Sequence, residues 1–140
     1  PVTTALVGLV IFYIGLKMFS GGMKSMGNME HLQLLLGNPI YMFFGGIIMT
    51  LAWQSSSLST TAIIALVASG ALPLPAAVAC VLGANIGTTG TIWLAGFFVS
   101  DGWPKGDTLR IAMAHTGMNL VMAIMLLPFV HHIAKFLGKF

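Results

Sequence analysis

The sequence predicts an all-α membrane protein with three transmembrane helices, one of them broken, and one re-entrant helical hairpin. Of the 140 residues, 57% are hydrophobic and 6% are charged, whereas a soluble domain carries about 25% charged residues. No Asp, Glu, Lys or Arg occurs in residues 31–100. A polar run at residues 54–61 interrupts this charge-free stretch. Because an unsatisfied polar group in hydrocarbon costs several kcal/mol, that run must meet protein, water or a bound ion.

The scarcity of charge limits the classes of partner. The formal net charge of +3 comes from few residues, so we expect no nucleic-acid binding. The charged residues lie near the ends of apolar segments, where long basic side chains reach the lipid headgroups. Cys80 is the only cysteine, which excludes an intrachain disulfide and indicates a small buried side chain.

The first apolar segment, residues 2–19, is the first predicted span. At a rise of about 1.5 Å per residue it covers roughly 27 Å, close to the thickness of the hydrocarbon core. Its only charge is Lys17, placed where it can reach the interface. Residues 20–38 are mixed in polarity, and Gly21 and Gly22 predict a turn followed by a short interfacial helix ending at Gly37.

Residues 39–72 predict a helical hairpin. Pro39 is well placed to begin a helix. Two apolar arms, residues 40–53 and 58–71, flank the polar residues 54–57. One helix of this length would measure roughly 50 Å, well over the membrane thickness of about 30 Å, and each arm alone reaches only about 20 Å. We therefore expect a re-entrant hairpin with its polar tip inside the membrane, against protein or a water-filled cavity.

The rest of the chain predicts two further spans. In residues 73–100, apolar halves at 76–82 and 92–99 flank a polar, glycine-rich stretch at 83–89, which predicts a broken helix. A loop at residues 100–107 follows, and Asp107 or Thr108 is expected to cap a last helix running to Pro128. A short basic tail occupies residues 131–139.

The predicted number of membrane crossings is three, and an odd number places the two ends of the unit on opposite sides of the membrane. Two copies of such a unit in one chain would have opposite orientations, which is the inverted-repeat plan of many transporters. The polar run occurs once here, so residues 1–140 form a single unit. The positive-inside bias is weak and allows insertion in either direction. Four lysines are predicted on one side of the membrane: Lys17, Lys24, Lys135 and Lys139. Two basic residues, Lys105 and Arg110, are predicted on the other side.

The polar run itself has the features of a site that binds an anion and a cation together. Serine and threonine are good N-caps, so the second arm should begin near residues 55–57. Its free N–H groups and positive dipole end would then favour an anion in the membrane interior. The free carbonyls of the first arm, with the Gln54 side-chain oxygen, suit a hard cation such as Na⁺. The alternative is that these hydroxyls bond to their own helix or join helices together.

Two further polar groups follow in the chain. Gly83 and Gly87 form a GxxxG pattern that usually indicates close helix packing, but Asn85, Thr88 and Thr89 in the same stretch predict a second half-helix beginning that faces the site. In the last helix, His115 and Asn119 share one face. A polar pair that bonds a neighbouring helix is the favoured interpretation of these two residues, and Arg110 is interpreted as an interfacial anchor.

These motifs in this order resemble the type II sodium/phosphate cotransporter family. The resemblance covers residues 39–128 and rests on Gln54-Ser55-Ser56-Ser57, then residues 83–89, then Arg110, Ala114, His115 and Asn119. Members of that family usually carry two inverted copies, whose Gln-Ser-Ser-Ser segments meet to form one site for phosphate and Na⁺. The resemblance implies that residues 54–57 line such a site, with Asn85, Thr88 and Thr89 beside it.

The predicted site residues are as follows. Substrate would be bound by Ser55, Ser56, Ser57, Thr88 and Thr89. Sodium would be bound by Gln54, Ser56, Ser59, Thr60 and Asn85. His115, Asn119 and Arg110 would lie behind these ligands.

The leading hypothesis is sodium-coupled phosphate symport by a multi-pass protein of the cell membrane, without enzymatic activity and without a cofactor other than Na⁺ as coupling ion. The charge-free region offers no lysine or arginine to neutralise phosphate, so bound Na⁺ must supply the positive charge. The expected partner is a second copy in an antiparallel homodimer, or a second repeat. The alternatives are sodium-coupled transport of another small anion and a non-transporting membrane assembly subunit. A serine hydrolase is disfavoured, because His115 is the only histidine deep in a span and no Gly-x-Ser-x-Gly elbow occurs.

Overall fold

The computed structural model describes residues 2–26, 30–99 and 102–139. All regular structure in these residues is helical. The elements are α1 (Val2–Met26), α2 (Glu30–Gly37), α3 (Pro39–Trp53), α4 (Ser56–Ala68), α5 (Leu74–Val99), α6 (Gly106–Leu126), a 3₁₀ turn (Leu127–Phe129) and α7 (Val130–Leu137).

Three helical segments of the described chain are long and apolar enough to cross a membrane. They are Val2–Gly22, Leu74–Val99 and Gly106–Leu137. Helices α3 and α4 are shorter apolar helices, separated by Gln54 and Ser55. The structure is thus that of a multi-pass membrane protein with the predicted number of full-length spans.

Three predicted boundaries are wrong. Helix α1 continues through Gly21 and Gly22 to Met26, where a turn was expected. The last helix begins at Gly106, with Lys105 rather than Asp107 or Thr108 at the N-cap position. It ends at Leu126, and the basic tail forms α7. Gly21 and Gly22 do not end α1, since a glycine inside a helix costs only about 1 kcal/mol relative to alanine.

The predicted break at residues 83–89 is also absent, since α5 is one helix of 26 residues. The Thr88 hydroxyl donates to the Ala84 carbonyl oxygen at 3.0 Å, and the Thr89 hydroxyl donates to that of Ile86 at 2.7 Å. Both hydroxyls thus bond to the preceding turn of their own helix. A second half-helix does not begin at Thr88 or Thr89.

The glycines of α5 instead permit close packing on α3. A Cβ atom at Gly83 would collide with the Phe43 carbonyl oxygen, and one at Gly46 with the Cys80 carbonyl oxygen. At Gly87 a Cβ would lie 2.7 Å from Thr50 Cβ. Because Phe43 meets Gly83 and Thr50 meets Gly87, the two helices run in the same direction with their backbones in contact, as small residues allow.

Helix α5 lies at the centre and packs against α3, α4, α6 and α7. Helix α4 runs back along it and buries Ile63 and Leu66 against Ala76, Ala77 and Cys80. On the outer side of α4, the Ser20 hydroxyl of α1 donates to the Ala65 carbonyl oxygen at 3.1 Å.

Helices α6 and α7 cover the remaining side of α5. The Trp93 indole donates to the Thr116 hydroxyl at 2.8 Å, and Val130 of α7 packs on Ala79 and Leu82. Because Thr116 meets the later part of α5 and Val130 the earlier part, α6 and α7 run antiparallel to α5.

Candidate functional site

The break between α3 and α4 is built by one residue in an unusual conformation. Gln54 has a φ of +53°, in the left-handed region, which is uncommon for a residue other than glycine. Its side-chain nitrogen donates to the Leu51 carbonyl oxygen at 2.6 Å, satisfying one of the free carbonyls at the end of α3. The side-chain oxygen of Gln54 accepts no hydrogen bond from any residue that the structure describes. That oxygen is free to bind a cation.

Ser55 begins α4 as its N-cap. Its backbone is extended, at φ −146° and ψ 106°. Its hydroxyl oxygen accepts from the Leu58 backbone N–H at 3.2 Å, as an N-cap does. The hydroxyl proton of Ser55 is not used in that bond and can still be donated to an anion.

Ser59 joins the two arms just behind the break. Its hydroxyl oxygen lies 2.6 Å from Thr50 Oγ1, accepts from Trp53 Nε1 at 2.8 Å and donates to the Ser55 carbonyl oxygen at 3.0 Å. A serine hydroxyl has one proton and two lone pairs. When Thr50 donates to Ser59, all three are used. In that arrangement the buried Ser59 hydroxyl has no lone pair left for a cation.

Four other predicted site residues make no side-chain hydrogen bond in the part of the chain that the structure describes: Ser56, Ser57, Thr60 and Asn85. Ser57 is exposed and the other three are half-buried. Thr88 and Thr89 differ from these four residues, because each hydroxyl donates a hydrogen bond to a backbone carbonyl of its own helix. Their oxygens can still bind a cation, but their protons are not available to a phosphate oxygen.

Three of these residues, Ser56, Thr60 and Asn85, share helix faces with residues that line an open groove. The groove has a volume of about 520 Å³ and is lined entirely by apolar residues of α4, α5 and α7. Ile64 and Val81 are among them. Thr60 lies four residues before Ile64, with Ser56 four before Thr60, and Asn85 lies four after Val81. Residues at this spacing share a helix face, so the antiparallel α4 and α5 present their polar residues at the same end of the groove.

The residues predicted behind the site make their side-chain bonds within α6. Asn119 Nδ2 donates to the His115 carbonyl oxygen at 3.0 Å and lies 3.2 Å from His115 Nε2. This pair bonds within α6 rather than to a neighbouring helix. Arg110 Nη1 lies 2.9 Å from Asp107 Oδ1, and their side chains are 83% and 86% exposed. Such an exposed ion pair contributes about 0–1 kcal/mol.

Comparison with known proteins identifies the family. Residues 11–139 match the profile of the family described as Na⁺/Pi-cotransporter. The chain belongs to the Na⁺/Pi-cotransporter family. The resemblance inferred from the order and spacing of the motifs is therefore confirmed.

Curated relatives agree with this membership. The chain is 30% identical over 123 residues to sodium-dependent phosphate transport protein 2A of Ovis aries, covering 81% of this chain and 19% of that protein. It is 31% identical over 121 residues to the 2A protein of Rattus norvegicus, covering 80% and 19%. It is 29% identical over 130 residues to the 2B protein of Homo sapiens, covering 88% and 19%. The chain thus spans about a fifth of the length of these Na⁺/Pi-cotransporter relatives. No solved structure matches the chain.

Sequence reasoning missed three residues that organise this Na⁺/Pi-cotransporter chain: Thr50, Trp53 and Thr116. Thr50 and Trp53 bind the Ser59 hydroxyl, and Thr116 binds Trp93. The position of Thr50 in the largely apolar arm at residues 40–53 could have indicated that its hydroxyl has a partner. Nothing in the local pattern pairs Trp93 with a residue 23 positions away.

Proposed function

We propose that residues 1–140 form one transmembrane repeat of a sodium-coupled phosphate symporter. The observation that carries this proposal is the tip of the α3–α4 hairpin. There, a helix end with free carbonyls and a helix beginning with free hydroxyls stand side by side. The names of the curated relatives, which are sodium-dependent phosphate transport proteins, supply the substrate and the coupling ion.

Phosphate is proposed to bind at the beginning of α4. The backbone N–H groups of Ser56 and Ser57 have no intrahelical acceptor, as in any first helical turn, and the helix dipole favours an anion there. The hydroxyls of Ser56 and Ser57, with the remaining proton of Ser55, add donors. Thr88 and Thr89 are the weaker candidates for phosphate, because they donate to their own backbone.

Sodium is proposed to bind beside the phosphate. The Gln54 side-chain oxygen, the last carbonyls of α3 and the free oxygens of Thr60 and Asn85 are the neutral ligands that half-helix ends offer to Na⁺ in transporters. Ser56 could serve both ions. We assign Ser59 a positioning role instead of the predicted ligand role, because its hydroxyl is saturated.

The hairpin is proposed to be re-entrant. Helices α3 and α4 have 15 and 13 residues, so each reaches only about 20–22 Å. A Cβ at Gly90 would collide with Leu51, near the end of α3, whereas α5 continues to Val99. If α5 spans the membrane, the hairpin tip stops several residues short of the far side, inside the bilayer.

The site is proposed to be completed by a second unit of the same kind, either a second copy in an antiparallel homodimer or a second repeat. The open apolar groove between α4, α5 and α7 is where such a unit would pack, since helix spacing places Ser56, Thr60 and Asn85 beyond one end of it. A second tip placed there would surround the ions and exclude water from them.

Uptake of labelled phosphate into liposomes that contain the purified protein tests the proposal. We expect uptake driven by an inward Na⁺ gradient and lost in choline, and lost also in Ser57→Ala. Ser69→Ala is the matched control, because Ser69 lies at the other end of α4 and bonds the Leu66 carbonyl oxygen. Uptake of a different anion alone would favour the other-anion alternative, and no transport of any small anion would favour the assembly subunit.

A further inference from the structure

We propose that α7 is an interfacial helix whose basic face binds the headgroups of anionic phospholipids. This surface is distinct from the proposed transport site. Four basic or potentially basic residues are exposed on this helix and the turn after it: His131, His132, Lys135 and Lys139.

The helical spacing places three of these residues on one face. Lys135 lies three residues after His132 and four after His131, so these side chains are neighbours on the helix surface. Lys139 lies in the turn that follows the end of α7 at Leu137. The opposite face is buried: Val130 is 2% exposed and Ala134 is 6% exposed. Val130 packs against Ala79 and Leu82 of α5. Helix α7 is thus amphipathic, with its apolar side held on the bundle.

Exposed aromatic rings border the basic face. Phe129 is 56% exposed and Phe136 is 60% exposed. The Phe129 ring centroid lies 6.2 Å from that of His132, in an edge-to-face arrangement. Aromatic rings beside basic groups are typical of a helix lying at the boundary between headgroups and acyl chains.

The length of the last span puts α7 at that boundary. Helix α6 has 21 residues, enough for about 31 Å and therefore for the whole hydrocarbon core. The 3₁₀ turn at Leu127–Phe129 then separates α6 from α7. Because α6 alone can cross the hydrocarbon core, α7 extends beyond the length that a crossing requires.

The chain offers no acidic partner to this face in the segments that pack on it. Residues 31–100 and 108–140 contain no Asp or Glu, and α5, against which α7 packs, lies within the first of these ranges. Lysines so placed attract anionic lipids at the membrane surface. Charge complementarity therefore points to a membrane lipid as the occupant.

Native mass spectrometry of the delipidated full chain in neutral detergent tests the proposal, with phosphatidylglycerol and phosphatidylcholine as probes. We expect the chain to bind phosphatidylglycerol more tightly. Each lysine near a surface contributes about fivefold in affinity, so the double variant Lys135→Gln, Lys139→Gln should lose at least tenfold for phosphatidylglycerol and little for phosphatidylcholine. The variant His131→Gln, His132→Gln should lose less.

The matched control is Lys105→Gln with Arg110→Gln, which removes the same charge at the opposite end of α6. Phosphatidylglycerol affinity should stay within about twofold of the original in this control, since these residues lie far from α7. An equal loss in the control, or no loss in the lysine variant, would overturn the proposal. Competition by inorganic phosphate would also overturn it, because the face would then be a site for soluble anions. Circular dichroism should show the same helix content in all variants.

Discussion

The hydroxyl oxygens of Thr50 and Ser59 lie 2.6 Å apart, across the break between α3 and α4. Both side chains are 0% exposed. Nine positions separate them in the chain, and the left-handed conformation of Gln54 brings them together. The two arms are therefore joined by a buried hydrogen bond immediately behind the residues proposed to bind the ions.

Replacing Ser59 should destabilise the protein. Ser59→Ala removes the acceptor of both Thr50 and Trp53 and leaves the buried Thr50 hydroxyl without this partner. The expected loss in the free energy of unfolding is about 1–3 kcal/mol. Denaturant unfolding in mixed micelles measures it. The control Ser69→Ala should lose less, because the Ser69 hydroxyl is only half-buried; equal losses would show that Ser59 does not join the arms.

The contact between α3 and α5 should tolerate no side chain at its centre. In Gly83→Ala the new methyl group meets the Phe43 carbonyl oxygen, which belongs to the backbone and cannot rotate away. Overpacking of this kind costs about 1–3 kcal/mol or more. Gly8→Ala in α1 is the control, since nothing lies within 4 Å of a Cβ there. Thermal unfolding should show a lower midpoint for Gly83→Ala alone.

Removing one free hydroxyl at the tip should weaken ligand binding without affecting folding. We expect Ser56→Ala to lose more than tenfold in affinity for phosphate or Na⁺, since a hydrogen bond to a charged group is worth about 1.5–3 kcal/mol. Calorimetric titration measures both ligands. Thr61→Ala serves as control, because the Thr61 hydroxyl already donates to the Ser57 carbonyl oxygen. Unchanged binding in both Ser56→Ala and Ser57→Ala would contradict the proposed site.

Phosphate binding should require sodium. Residues 31–100 contain no lysine or arginine, and an unpaired anion in a low-dielectric site costs several kcal/mol. Phosphate affinity should therefore collapse when choline replaces Na⁺, and phosphate should tighten Na⁺ binding by the same factor. Calorimetry in NaCl and in choline chloride decides the matter. Equal affinity in the two salts would mean that a protein cation, with Arg110 the first candidate, neutralises the anion.

An antiparallel homodimer requires both orientations of the chain in the membrane. We expect a Gly138→Cys variant, made with Cys80→Ala, to be labelled by an impermeant maleimide in part in intact cells and in full only after the cells are permeabilised. Gly138 is exposed and has a φ of −70°, which any residue can adopt. A single orientation would exclude the homodimer and require a second repeat or a partner chain.

The sequence by itself determined the number of full-length spans and the position of the break between α3 and α4, because these depend on local chemistry. The charge-free stretch indicated the membrane environment. Pro39, preceded by the capping side chain of Asn38, begins α3 as predicted. Ser55 caps α4 where the cluster of hydroxyls indicated a helix beginning. Each of these features depends on a residue and its nearest neighbours in the chain.

Only the tertiary structure decided what the glycines and hydroxyls do. Gly83 and Gly87 indicated either a break or close packing, and the backbone of α3 decided between them. Thr60 and Thr88 were alike as sequence, yet only Thr88 donates its proton to its own helix. Ser59 was indistinguishable from Ser56 until Thr50 and Trp53 were brought against it. The physical reason is that a glycine's close contact and a hydroxyl's choice of partner are set by the helix that packs opposite, which local periodicity does not encode.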